Sequence, residues 1–274
     1  VYFEAAFCFT ARGRFGLVLT LAALEPLMKV TTVLLLAAGC GGVGASGLAA
    51  EPACAGQNTL SAAEKKAGWV LLFDGQSFKG WHGYNGQKTP AWKVADCSLV
   101  TAGTEGNYGS DQRADLSTDA QYTNFELSVD WKASKGGNSG VMYGVVEDPK
   151  YKTAWQTGPE YQIIDDVGFP EKLEEWQKCA ANYAMHVASA DKPLKPVGEW
   201  NTTKIVVNGT HVEHWLNGKK VLEFERWGDD WKKRRDSGKW KEAPDYGLAK
   251  TGHIALQDHG SAFAFRNVKL RPLP

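Results

Sequence analysis

Two short stretches of the chain bring together side chains that can move protons. Residues 160–166 read EYQIIDD, and residues 252–260 read GHIALQDHG. Both alternate apolar residues with others, the mark of a strand with one face in a core. Successive side chains on a strand point to opposite faces. With Tyr161 and Ile163 facing a core, Glu160 and Gln162 stand together on the open face. A carboxylate placed there can act as a general base, and Glu160 is the first candidate for that role. In the second stretch Gln257 and His259 share the open face as ligand contacts or an acid–base pair, the imidazole titrating near neutral pH. Asp258 falls on the side of Ile254 and Leu256, where a buried carboxylate needs a partner. Arg266, on the strand that follows, is expected to form a structural ion pair with it.

Further candidates lie between these stretches. GGNSGVMY (136–143) offers Asn138 to orient a ligand hydroxyl and Tyr143 to stack or donate. Its glycines also read as a turn. Arg113 sits in a polar loop ahead of a strand and is expected at the rim of a cleft. HVEH (211–214) lacks the helical i, i+4 histidine spacing of a zinc protease. On a strand only His211 and Glu213 converge, so no metal site is expected there. Asp165 and Asp166 are a weaker metal candidate. No cofactor is implied by a motif, although a divalent ion could assist the chemistry set out below. Three cysteines remain beyond the leader, Cys54, Cys97 and Cys179, and their spacing fits no zinc site. They are read as structural, with one disulfide and one free thiol possible and the pairing open.

The elements that must position these groups are short strands. NFELSVDWKA puts Phe125, Leu127, Val129 and Trp131 on one face and charged or polar residues on the other. Residues 204–224 contain two Asn-Gly pairs between β-prone runs, each a hairpin signal, and together they give a three-strand meander. Further strands are expected at VLLFDG, WKVADCSLV, SGVMYGVV, EYQIID, NYAMHVA, HIALQD and AFAFRNVKL. PEKLEEWQKCA (170–180) is the best helix. Many antiparallel strands with little helix mean an all-β fold, a two-sheet sandwich or a closed barrel. Eleven tryptophans exceed what chemistry needs, and most belong to the core. An aromatic ring on an open sheet face can also pack on the C–H face of a sugar.

The chain has 274 residues and a formal net charge of zero. That balance argues against nucleic acid as a partner, which would call for a basic face. The basic run WKKRRDSGKWK (231–241) is broken by acids and reads as a solvated loop. Residues 28–40 have the layout of an export signal, with Lys29, a short apolar run and LAAGC. LAAGC is similar to a lipobox, which would lipidate Cys40 and tether the protein to the cell envelope, its only membrane contact. A plain secretory signal cut near Ala49 or Ala50 is the alternative. Residues 1–27 precede the expected start at Met28. Residues 41–68, rich in Gly, Ala and Ser, read as a flexible tether with one helical turn at SAAEKKAG. Residues 69–274 are one folded domain.

Seven blocks then occur in order: LFDGQSFKGW, NFELSVDWK, GGNSGVMY, EYQIIDD, KPVGEWN, HWLNGKKV and GHIALQDHGSAFAFRNVKL. Over residues 69–272 the chain resembles the 3-keto-disaccharide hydrolase domain family. That resemblance implies a concanavalin-like jelly roll, two curved antiparallel sheets with a ligand on the concave face. It implies a small glycoside or oligosaccharide substrate whose glucose ring carries a ketone at carbon 3. The ketone acidifies the hydrogen on carbon 2, so a base can form an enolate that expels the oxygen on carbon 1. This differs from the paired-carboxylate route through an oxocarbenium-like state. It also implies Tyr183 as a substrate contact. The competing reading is a non-catalytic carbohydrate-binding module on a lipid tether, since jelly rolls serve both roles. A structural envelope protein is a third. A base with its partner in the cleft separates the enzyme from the module.

Overall fold

A computed structural model gives the structure of the chain and describes residues 54–103 and 113–274. The strands run in chain order as β1 (Val70–Leu71), β2 (Trp81–Gly83), β3 (Trp92–Ala95), β4 (Ser98–Ala102), β5 (Leu116–Thr118), β6 (Phe125–Ala133) and β7 (Asn138–Val145). They continue with β8 (Glu160–Ile164), β9 (Asn201–Asn208), β10 (His211–Leu216), β11 (Lys219–Glu225), β12 (His253–Leu256) and β13 (Ala262–Pro272). One sheet has the order β11-β10-β9-β6-β13-β4-β3, with β1 added along β13, and the second has the order β2-β5-β12-β7-β8. Every strand pair is antiparallel. The expected two-sheet sandwich is therefore the fold.

The alternation expected in β6 holds along all nine residues, with Phe125, Leu127, Val129 and Trp131 buried. They share one apolar core with Val141, Tyr143, Tyr161, Ile163, Ile254 and Leu256 of the second sheet. The meander β9–β10–β11 forms as the Asn-Gly pairs suggest. Asn217 and Gly218 both take positive φ, as a tight two-residue hairpin requires. In the first hairpin the register instead pairs Asn208 with His211, so the loop is Gly209-Thr210.

Four expectations fail. PEKLEEWQKCA yields only a 3-10 turn at Glu175–Gln177. The helix of nine residues is α2, counted after α1 (Ala62–Lys66), and it spans Asp229–Ser237 in the supposed solvated loop. Trp231 and Trp240 are buried there and anchor the segment. NYAMHVA forms isolated bridges at Asn182 rather than a strand. The end of the supposed tether is fixed to the domain: Cys54 is disulfide-bonded to Cys97, leaving Cys179 free and buried. The Asn58 amide donates to the Cys97 carbonyl at 2.9 Å, and Asn58 and Asn267 exchange backbone-to-side-chain bonds of 2.6 and 2.7 Å. A Ser61–Glu64 capping box starts α1, and Glu64 reaches Lys269 on β13. Cys40, the signal-like segment and residues 1–27 lie outside the described residues.

Candidate active site

The second sheet builds a cleft from three neighbouring strands. Cα partners Met142 with Glu160, Gly140 with Gln162 and Ala255 with Met142 set β8, β7 and β12 side by side. The Gln257 N–H then donates to the Gly140 carbonyl at 3.0 Å, extending β12 along β7. The pleat sends Val141, Tyr143, Tyr161, Ile163, Ile254 and Leu256 to the core. The intervening residues point the other way, so Asn138, Glu160, Gln162, Gln257 and His259 line one cleft of about 90 Å³. Tyr183, Trp155, Lys239 and Trp240 complete its wall.

Glu160 lies at the centre of this arrangement and is 4% exposed. A Cβ on Gly140 would stand 2.2 Å from its Oε1, so the glycine leaves the niche that the carboxyl occupies. Burial drives the Glu160 pKa up to about 8. The positive charge of Lys239 works against that rise, and Asp115 adds to it. Burial disfavours the charged form, and a nearby cation restores part of it. Around the carboxyl, Asn138 Oδ1, Gln162 Oε1 and Gln257 Oε1 are buried without a hydrogen-bond partner in the chain. Folded proteins satisfy nearly all buried polar atoms. Three such amide oxygens on the cleft that holds the Glu160 carboxyl are free to accept from a polar ligand.

His259 is at the rim and exposed. Desolvation at the cleft mouth, then the charges of Arg113 and Lys239, hold its pKa below the ordinary histidine value. Arg113 is half-buried. It is not among the residues that line the cleft, although its charge bears on Asp258 and His259. The Tyr183 ring has the Lys239 ammonium 4.2 Å from its centroid and packs edge-on against Trp240 at 6.2 Å.

Lys239, Trp155 and Trp240 were not among the residues expected from sequence. Lys239 stands on the 3-10 turn Lys239–Glu242 after α2. An aromatic stack fixes that segment: Phe224 on Trp231 at 5.8 Å, Trp231 on Tyr246 at 6.0 Å, and Tyr246 on Trp240 at 4.0 Å. The signal was present in WKKRRDSGKWK, where two tryptophans interrupt a charged run that otherwise has no reason to carry them.

Two expected residues are elsewhere. Tyr143 is fully buried on the core side, its hydroxyl donating to His214 Nε2 at 3.3 Å while His214 Nδ1 donates to the Ala180 carbonyl. Asn138 and Tyr143 are five apart, an odd number, so one strand cannot present both to the cleft. Asp258 is buried as expected, but Arg266 is not its partner. Arg266 donates to Gln57, approaches Asp130 at 4.0 Å and lies 3.8 Å over the Trp200 ring. The reason is topological: β12 and β13 belong to different sheets, and the chain changes sheet at Gly260, where φ is +82°. Asp258 instead accepts from the Gly260 N–H at 3.0 Å, and its own N–H donates to Asp115. Burial raises its pKa, offset by that Gly260 bond and by the Arg113 charge.

The metal candidates resolve into local networks. Glu223 joins His211 and Glu213, so three ligating side chains converge where two were expected. Lys220 bonds both glutamates, and Trp215 donates to Glu213 at 2.7 Å, so both carboxylates already have donors within the chain. Asp165 accepts the N–H groups of Gly136, Val167 and Gly168. Asp166 accepts from Cys179 N–H and pairs with Lys192 at 2.8 Å.

Residues 68–271 match the family model described as a 3-keto-alpha-glucoside-1,2-lyase-like domain. A 3-keto-disaccharide hydrolase of Bacteroides thetaiotaomicron is 33% identical over 233 residues, covering 75% of this chain and 79% of the relative. Two crystal structures of Parabacteroides distasonis proteins, provisionally assigned as glycosyl hydrolases, are also similar. One is 44% identical with a TM-score of 0.73, covering 80% of this chain and 100% of the other. The second is 29% identical with a TM-score of 0.56, covering 75% and 99%.

Proposed function

The chain belongs to the 3-keto-alpha-glucoside-1,2-lyase-like family, and on that premise we propose that it cleaves 3-keto-glucosides with Glu160 as the base. The observation that carries this reading is the Glu160 carboxyl, seated in the Gly140 niche and surrounded by three buried amide oxygens without partners. The Glu160 carboxylate takes the proton from carbon 2. The C–H electrons form the carbon 2–carbon 3 double bond, and charge passes to the ketone oxygen. The Lys239 ammonium is the donor for that oxygen, the electrostatic role most such sites rely on, and the amide oxygens of Gln162, Gln257 and Asn138 accept from the ring hydroxyls. The enolate then reforms the ketone, makes the carbon 1–carbon 2 double bond and expels the glycosidic oxygen. Protonated Glu160 returns its proton to that oxygen. A pKa near 8 suits a group that must accept and then release one proton near neutrality. Water adding across the new double bond completes hydrolysis, and release before that step leaves an enone. Neutral His259 acts at the rim as a hydrogen-bonding contact.

The test is incubation with a 3-keto-glucoside and its unoxidised parent, with hydrogen exchange at carbon 2 followed in heavy water. Release from the keto form alone, with exchange, is expected. Glu160→Gln should lose exchange and about 10²- to 10⁴-fold in turnover. Should His259→Gln lose exchange while Glu160→Gln keeps it, the base has been misassigned. Binding of both sugars without turnover leaves a carbohydrate-binding module.

The place of action we propose is the cell envelope, with the lipobox-like LAAGC and Cys40 as the anchor. Among the described residues no helix is long and apolar enough to cross a membrane. Cys40→Ala should move the protein from the membrane fraction to the soluble one. A wild type that is already soluble after export rules out the anchor.

A further inference from the structure

The cleft around Glu160, at about 90 Å³, is smaller than the roughly 300–1,000 Å³ of ordinary small-molecule sites. It holds the reacting edge of one ring and leaves the rest of a glycoside outside. Directly beyond its wall is a second hollow of about 330 Å³, which shares Lys239 with the cleft. Trp176, Met185, Val187, Arg234 and Lys239 line it. The Trp176 ring packs against Tyr183 at 5.6 Å, so one aromatic wall serves both spaces. Among the described residues, Trp176 and Val187 belong to the large apolar side chains left open to solvent, 36% and 48% exposed.

We infer that this hollow is the aglycone subsite, and that it takes an aryl group of about one ring in preference to a second sugar. The inference rests on the reaction proposed above and names the part of the substrate which that reaction leaves open. Position follows from the shared Lys239: a sugar with carbons 1 and 2 over Glu160 can direct its glycosidic oxygen past Tyr183 into the neighbouring space. Chemistry follows from the lining. The Arg234 guanidinium is held by Asp230 at 2.7 Å and by the Met185 carbonyl at 2.9 Å. The Lys239 ammonium sits over the rings of Tyr183 and Trp240, 4.2 and 5.0 Å from their centroids. The remaining side chains have no hydroxyl or amide to match a second sugar. A flat apolar ring instead finds the Trp176 face, the Val187 methyls and the plane of a tethered guanidinium.

The experiment compares binding of phenyl glucoside and methyl glucoside, neither of which carries the ketone, by calorimetry. It adds turnover of methyl 3-keto-glucoside as a measure of the cleft alone. Phenyl glucoside should bind the wild type at least tenfold tighter than methyl glucoside. Trp176→Ala and Val187→Asp should each abolish that difference, and Val187→Asp, whose side chain does not touch the cleft, should leave methyl 3-keto-glucoside turnover unchanged. The Val187 position is exposed, so its variant keeps the test open if Trp176→Ala fails to fold. Equal affinity for the two glycosides in the wild type overturns the inference. So does an equal loss for both glycosides in Val187→Asp, and so does tighter binding of a glucosyl-glucose than of phenyl glucoside. If the phenyl preference holds while no keto-glucoside is cleaved, the subsite stands and the proposed reaction falls.

Discussion

The Glu160 carboxyl is costly to ionise where it sits, and that cost sets two measurable pH dependences. Its pKa, near 8 through burial with Lys239 in opposition, places the acidic limb of kcat/KM near pH 8 if ionised Glu160 is the base. Lys239→Met removes the charge that favours the carboxylate, so the limb should move to higher pH. An unmoved limb would show that the group titrating in the profile is not Glu160. The stability sign is the opposite of a salt-bridged acid. A carboxyl whose folded pKa is raised binds more protons folded than unfolded, so stability falls as pH rises from the unfolded value, about 4.3, toward 8. Glu160→Gln should therefore melt higher than wild type at pH 9 and gain much less at pH 4, by scanning calorimetry. Both consequences were partly legible in seven letters, because EYQIIDD fixes parity and parity fixes the cleft face. The raised pKa was not, because it depends on Gly140 and Lys239, which lie 20 and 79 positions away in the chain. The same parity sends Tyr143, five positions from Asn138 on one strand, to the core face.

Among the elements, the segment 229–242 does most to turn a plain sheet face into a site. Its α2 helix carries charge on nearly every residue and has little intrinsic reason to dock. The docking comes from Trp231, which is fully buried between Phe224 and Tyr246, and from Trp240 beyond it. Trp231 does not line the cleft, yet it holds the turn that carries Lys239. Trp231→Ala should destabilise the fold by about 3–5 kcal/mol. Because it also frees the Lys239 turn, kcat/KM measured well below the melting temperature should fall, while Trp131→Phe, a core change in the other sheet, should leave it near wild type. If Trp231→Ala loses stability alone, the stack is ordinary core. Charge composition hid this element, since solvated loops and docked charged helices have the same residues and differ by two indoles. The failure at Arg266 has another cause. Sequence shows that two strands are consecutive and cannot show that a sandwich separates them into opposite sheets.

At the scale of the whole molecule the two sheets are held by one core and the N-terminal strap by covalent chemistry. The period-two pattern disclosed the sandwich because each sheet buries one face, and the seven ordered blocks reached its family. The strap at 54–68 was hidden because Gly, Ala and Ser describe a tether equally well whether or not a disulfide fastens its end. The Cys54–Cys97 bridge spans 43 positions. Closing a loop of that size in the unfolded chain is worth about 4 kcal/mol in the chain-entropy account. All the residues that line the cleft lie between 138 and 259, outside that loop. Cys54→Ser with Cys97→Ser should accordingly lower the urea midpoint by an amount worth about 4 kcal/mol, with turnover per folded molecule unchanged in the absence of urea. The Asn58 bonds to Cys97 and Asn267, together with the Glu64–Lys269 pair, keep the strap seated in the folded state. Loss of turnover in the folded double variant would mean that the strap steers the site as well as the stability. A midpoint that does not move would mean that these bonds fasten the strap without the bridge.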